Sequence, residues 1–198
     1  MALARVVSST LHGIESLPVE VEVQIRGGPF SFSIIGLADN AVRESRDRVA
    51  AAIRHSGFEF RGKVLVNLAP AEIKKEGAAL DLAIAVGYLA ASHVVPFQNL
   101  NRYSFHGELS LTGELKPVRG VIARGLGCIK SEKGSLVVPS GNVREAKLLP
   151  GMEVIGANSL LDVVELLKNG NKPECLELSG IEQKSGGGLC YSEVRGQV

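Results

Sequence analysis

One segment of this chain nearly spells a phosphate-binding loop. Gly57-Phe58-Glu59-Phe60-Arg61-Gly62-Lys63 fits the opening of the pattern G-x-x-x-x-G-K-[ST], but Val64 follows, and Val has no hydroxyl to place on Mg²⁺. Such a loop must also leave a strand and enter a helix, so that backbone amides and the helix N-terminus face the phosphates. Here the local pattern runs helix, loop, strand, with two Phe in the loop, and the segment reads as a plain connection that does not bind ATP. Asp81 is the single charge in the first turn of an otherwise apolar helix. That position suits a carboxylate satisfied by the helix N-terminus or by a buried Arg. A remnant catalytic acid is the other reading, but no base or nucleophile lies beside it in sequence. Cys128, Cys175 and Cys190 are widely spaced with no Cys-x-x-Cys, and the four His are scattered, so zinc is not expected. The residues therefore offer no catalytic, cofactor-binding or metal-ligating set.

Basic residues form two groups. Arg43, Glu44, Arg46, Asp47, Arg48 and Arg54 share one helix, where Arg43 with Asp47 and Glu44 with Arg48 are spaced to pair on a solvated face. Those pairs leave Arg46 and Arg54 for a subunit or a nucleic acid. Arg61, Lys63, Lys74 and Lys75 are grouped by two loops flanking one strand, and phosphate contact is the functional reading of that set. Ordinary surface lysines would give the same pattern.

The elements that position these residues follow from periodicity. Leu3 to Leu11 is rich in β-branched residues, and Val19, Val21, Val23 and Ile25 alternate with Glu20, Glu22 and Gln24, as in a half-buried strand. Phe30, Phe32 and Ile34 repeat the alternation after Gly27-Gly28, which predicts a hairpin. Asp39 or Asn40 caps a helix to about Ser56, with Val42, Ser45, Val49, Ala52 and Ile53 inward. Lys63 to Leu68 is an apolar strand, and Ala78 to Ala91 a helix apolar on every side, hence buried. Phe105 to Lys116 reads as a hairpin turning near Thr112-Gly113, and Val118 to Ser131 as a helix that holds Cys128 in the core. Leu136 to Pro139 is a buried strand, Ser140 caps a short helix to about Leu148, and Val154-Ile155 is a last short strand. Leu160 to Lys168 is a helix stopped by Asn169-Gly170.

A chain of 198 residues holds one ordinary domain and an appendage, and its 45% hydrophobic and 22% charged residues are those of a soluble globular protein. The net charge of +1 argues against a strongly basic nucleic-acid binder while allowing a local patch. No apolar run reaches the roughly 20 residues that span a bilayer. The N-terminus has no signal-peptide pattern, and the odd number of cysteines suits a reducing cytosol. A cytoplasmic protein without a membrane partner is expected.

Two resemblances sharpen this. Lys75-Glu76-Gly77-Ala78-Ala79-Leu80-Asp81, together with Gly107-Glu108-Leu109 through Lys116-Pro117-Val118, resembles the proteolytic domain of Lon-type proteases. Matching Lys75 and Gly77 puts Ala79 at the family's nucleophilic Ser; matching Gly107, Gly113 and Pro117 puts Ile122 at its activating Lys. A methyl group cannot attack a carbonyl, and a sec-butyl group cannot accept a proton. Met1-Ala2-Leu3-Ala4-Arg5-Val6, Ile35-Gly36-Leu37, Val42-Arg43-Glu44-Ser45-Arg46-Asp47-Arg48-Val49, Asn67-Leu68-Ala69-Pro70-Ala71 and Gly107-Glu108-Leu109 are more similar to another group. It is the amino-terminal domain of the Mg-chelatase-like AAA+ ATPases, which include the competence-type branch-migration helicases and also lack the Ser/Lys pair.

The resemblance implies an α/β fold like the second domain of ribosomal protein S5, as in the Lon proteolytic domain, with a mixed sheet packed by helices. It implies a domain over 1–170, a linker over 171–188 containing Gly186-Gly187-Gly188, and the opening of an AAA+ module over 189–198. In the intact protein, ATP and Mg²⁺ would belong to that module, its own subunits would be partners in a homo-hexamer, and DNA would be the object of its work. Three roles are then open: an assembly and DNA-engaging module, a protein-interaction adaptor that ignores DNA, and a cryptic hydrolase for which no nucleophile stands in register.

Overall fold

The computed structural model describes residues 2–130 and 134–173. Most of the expected linker and the expected opening of an ATPase module lie outside the described residues. A seven-stranded mixed sheet runs in the order β3-β4-β2-β1-β5-β8-β9. β1 (Ala2–His12) and β2 (Glu15–Arg26) form a long antiparallel hairpin in which Val6 faces Val21 and Ala4 faces Val23. β4 (Lys63–Ala69) continues the sheet antiparallel to β2, and β3 (Ser31–Ile35) lies parallel to β4 at one edge. On the other side β5 (Tyr103–Phe105), β8 (Ser135–Pro139) and β9 (Glu153–Ala157) add in parallel. β6 (Glu108–Leu109) and β7 (Leu115–Lys116) pair separately.

The helices cover the sheet unequally. α1 (Asn40–His55), α2 (Asp81–Ala91) and α5 (Leu160–Asn169) share one core with Val6, Val21, Val23, Val64, Val66 and Val137. α3 (Val121–Lys130) and α4 (Val143–Ala146) pack a second cluster with Leu136 and Val138. Alternate residues of β8 thus serve opposite faces, as the pleat requires. Every residue of α2 is buried, as its lack of a polar face predicts. The predicted inner face of α1 is also the observed one, with Ala50 added.

Two expectations are corrected. β2 and β3 do not form a hairpin, because β4 returns after α1 and inserts between them. β3, α1 and β4 make a parallel crossover, and Gly36 marks the exit from β3. Its φ is +104°, and a Cβ there would lie 2.2 Å from the carbonyl oxygen of Leu68. The predicted hairpin over Phe105–Lys116 is shorter, since Tyr103–Phe105 belongs to the main sheet and the paired part begins at Glu108.

Candidate functional site

The loop that resembles the protease nucleophile loop is held by backbone and by buried side chains. The N–H of Lys75 donates to Leu37 O at 3.1 Å, and the N–H of Asp39 donates to Lys75 O at 3.0 Å. Asp39 caps α1 by accepting from Val42 N at 2.8 Å and reaches Gly77 N at 3.3 Å with its second oxygen. Ala79 is buried in the single turn Ala78–Leu80, and its carbonyl accepts from Gly107 N at 3.0 Å. Ile122 is exposed on the first turn of α3. Neither side chain carries a reactive group. The segment 57–63 joins α1 to β4, so its order is the reverse of a phosphate loop.

Asp81 is fully buried and lies at the centre of a network between α1, α2 and β6. Its oxygens accept from Arg48 Nε at 2.8 Å, from Arg48 Nη2 at 3.2 Å and from Leu109 N at 3.2 Å, and from the hydroxyl of Ser45. Burial pushes the Asp81 carboxyl above its usual range, opposed by the Arg48 and Ser45 hydrogen bonds. Arg48 keeps part of its surface in solvent, so its own value is raised by the carboxylate it binds. The carboxylate is satisfied by an Arg, as one reading of Asp81 expects, but Arg48 is only half-buried, and the network ties α1 to α2. Arg48 meets its predicted partner Glu44 only at 3.9 Å. Asp47 pairs with Arg46 at 3.3 Å, so Arg46 is not the unneutralised cation expected.

The second basic set is not one patch. Arg61 and Lys63 stand at the start of β4 and Lys74 beyond its end, and seven residues of strand separate them by about 20 Å. Lys75 leaves the surface altogether: it is fully buried, its ammonium donates to the carbonyl of Pro70, and desolvation lowers its pKa. Arg61 pairs with Glu59 at 2.9 Å and Lys74 with Glu76 at 2.7 Å. Arg54 lies instead over two rings, 5.4 Å from the centroid of Phe30 and 5.5 Å from that of Phe60.

Arg54 and Phe30 also line one of two adjoining hollows. One open hollow of about 520 Å³ is lined by Phe32, Ile34, Arg43 and Glu44, and another of about 430 Å³ by Phe30, Ala51 and Arg54. Both include Phe32, Arg46 and Asp47, so they form one groove between edge strand β3 and α1. Sequence pattern gave no sign of it, because the groove depends on β3 being an edge.

A buried polar set was also missed. His106 lies between Ser8 and Ser104, with Nδ1 3.2 Å from Ser8 Oγ and Nε2 2.8 Å from Ser104 Oγ. Ser8 Oγ donates to Phe105 O at 2.7 Å, so it accepts from Nδ1–H, and Nε2 accepts from Ser104. Burial, and then the charge of Arg124, hold His106 well below its usual value of 6.5. Arg124 donates to Ser9 O and Arg119 O, and burial lowers it to about 10. The set is closed to solvent and reads as a polar core under α3. Among the described residues no group of His, Cys, Asp or Glu is placed to hold a metal, and no helix is long and apolar enough to cross a membrane.

Comparison with known proteins fits this geometry. The competence protein ComM of Haemophilus influenzae is 39% identical over 173 residues, which cover 87% of this chain and 34% of ComM. YifB of Escherichia coli K12 is 38% identical over 169 residues, 85% of this chain and 33% of YifB. The chain thus spans about a third of the length of the curated relatives it matches. Lon protease 2 of Bacillus subtilis is 25% identical over 169 residues, 77% of this chain and 30% of that protease. With the mixed sheet and its helices, that likeness makes the fold the S5 domain 2-like one expected from the sequence. Residues 21–142 match the family described as subunit ChlI of Mg-chelatase, and this chain belongs to that Mg-chelatase-like family, together with ComM and YifB.

Proposed function

We propose that this chain is a non-catalytic accessory domain of a Mg-chelatase-like AAA+ ATPase, and that it supports ring assembly and the engagement of DNA by the motor. The observation that carries this reading is the pairing of a Lon-like frame with Ala79 and Ile122 at the two reactive positions. The frame is kept by buried polar contacts, the Asp81–Arg48–Ser45 network and the stitched loop at Lys75, although no nucleophile stands in it. ComM is named for competence, and ATP with Mg²⁺ would act in the motor and not here. Binding by this domain is tolerant of sequence and carried largely by phosphate, since no recognition helix stands among the described residues. It is weak in one copy and amplified in a ring, where several weak sites act at high effective concentration.

The test has two arms. The chain should leave casein intact and should not bind ATP at micromolar concentration, because neither reaction has a group to run it. Fluorescence anisotropy should report weak binding of single-stranded and branched DNA that falls steeply between low and moderate salt. Casein cleavage that co-purifies with the chain would overturn the non-catalytic reading. Capture of protein partners with indifference to DNA in a full-length ring would favour the adaptor.

A further inference from the structure

We infer that Phe30 and Arg54 form a stacking platform for an unpaired base, with the neighbouring cations taking the flanking phosphates. The inference rests on the DNA-engagement reading and names where and how a single strand would be held. Phe30 is large, apolar and 52% exposed at the entrance to β3, where an alternating strand would have turned it inward. It is not a loose surface ring. Its centroid lies 5.6 Å from that of Phe60, edge to face, and Phe60 is buried against Tyr88 at 4.4 Å and Phe32 at 5.2 Å. Tyr88 stands on the wholly buried α2, and its hydroxyl donates to Glu59 O at 3.1 Å and accepts from Arg61 N at 3.0 Å. A chain of rings therefore runs from the core to the exposed face of Phe30 and fixes the loop that carries Arg61.

The charges stand where a strand would need them. The guanidinium of Arg54 is held over both Phe rings, and no carboxylate pairs with it among the contacts described. Lys63 faces Arg26 across the β2–β4 ladder and Ser31 across the β4–β3 ladder, one strand spacing away on each side. The Lys63 side chain reaches over Gly28, whose added Cβ would lie 3.0 Å from Lys63 Cε. Arg61 projects from the next loop with Glu59 as its partner. Lys63 and Arg26 alternate to the other face of the sheet, and Arg61 stands in the loop before β4. The exposed ring thus shares its hollow with two α1 cations, Arg54 and Arg46, the latter paired with Asp47. The 430 Å³ hollow beside it is open enough to admit a nucleobase. An aromatic face flanked by cations is the chemistry of sequence-tolerant single-strand binding, in which the ring stacks a base and the charges follow the backbone. A duplex keeps its bases stacked on each other and cannot use the ring, so the platform favours unpaired over paired DNA.

The experiment is fluorescence anisotropy of the 198-residue chain with labelled oligothymidylate of about 20 nucleotides, longer than one module occupies. The duplex of the same length and inorganic polyphosphate serve as competitors. F30A and R54A should each weaken single-strand binding about tenfold, and F30A should leave polyphosphate competition unchanged. F30L, which keeps the apolar packing without the flat π face of an aromatic, should behave as F30A if its thermal midpoint matches the parent. F30W should bind at least as well as the parent, and because the chain contains no other Trp its emission should be quenched by single strand and not by polyphosphate. Binding by the parent that F30A, F30L and R54A leave unchanged overturns the platform and leaves DNA engagement standing. No binding by the parent at low salt overturns both. Equal loss of oligothymidylate and polyphosphate in F30A would show an altered fold or a purely ionic surface, and also overturns the platform.

Discussion

Asp81 shows how little of a charged residue's role is written beside it in sequence. Its partners Ser45 and Arg48 come from another helix and Leu109 N from a short strand, each far along the chain. Replacing it with Ala removes the partner of a half-buried guanidinium and strands a buried hydroxyl and a backbone N–H, so D81A should lose about 2–3 kcal/mol in urea unfolding. D81N keeps most of the hydrogen bonds and should lose less. A D81A protein within about 1 kcal/mol of the parent would mean that the network is not holding α1 to α2. His106 gives a prediction in pH. Its folded pKa is depressed by burial, so the folded state keeps it neutral while the unfolded chain takes up a proton below 6.5. The stability it contributes is present above 6.5 and is lost as pH falls toward the folded value. Between pH 7 and pH 5 the parent should lose up to about 2 kcal/mol more than H106Q in urea titrations. Equal pH slopes in the two proteins would contradict the neutral, doubly bonded imidazole.

At the scale of elements, the sequence made the existence of nearly every strand and helix legible, because hydrophobic period reports which side of an element is buried. It did not make neighbours legible. The alternation of Phe30, Phe32 and Ile34 is the same whether β3 pairs with β2 or with β4, and the short Gly27-Gly28 link favours the hairpin that does not form. The edge position of β3, and with it the groove along α1, follows from that hidden choice. Lys75 is the same kind of case, since a loop Lys gives no local sign that its backbone will bridge Leu37 and Asp39 and carry it inside. Gly36 is the residue that makes the crossover possible, as its positive φ and the nearby Leu68 carbonyl leave no room for a side chain. G36A should destabilise the fold by about 2–3 kcal/mol, read as a lowered thermal midpoint. An unchanged midpoint would place the turn elsewhere.

For the whole molecule, the family was readable from dispersed identities, and the expectation that the protease chemistry is absent rests on two residues, Ala79 and Ile122. The proposed interaction surface was not readable, because Arg61 and Lys63 are carried to one end of β4 and Lys74 to the other, while Phe30 and Arg54 meet only once β3 and α1 pack. The most direct measurement is ATP-driven branch migration by the proposed AAA+ protein containing these residues, with and without residues 1–170, at matched ATPase activity. The account predicts that the truncated ring still hydrolyses ATP but migrates branched DNA at least about tenfold more slowly, with DNA binding lost at moderate salt. Branch migration at the parental rate by the truncated ring would contradict it.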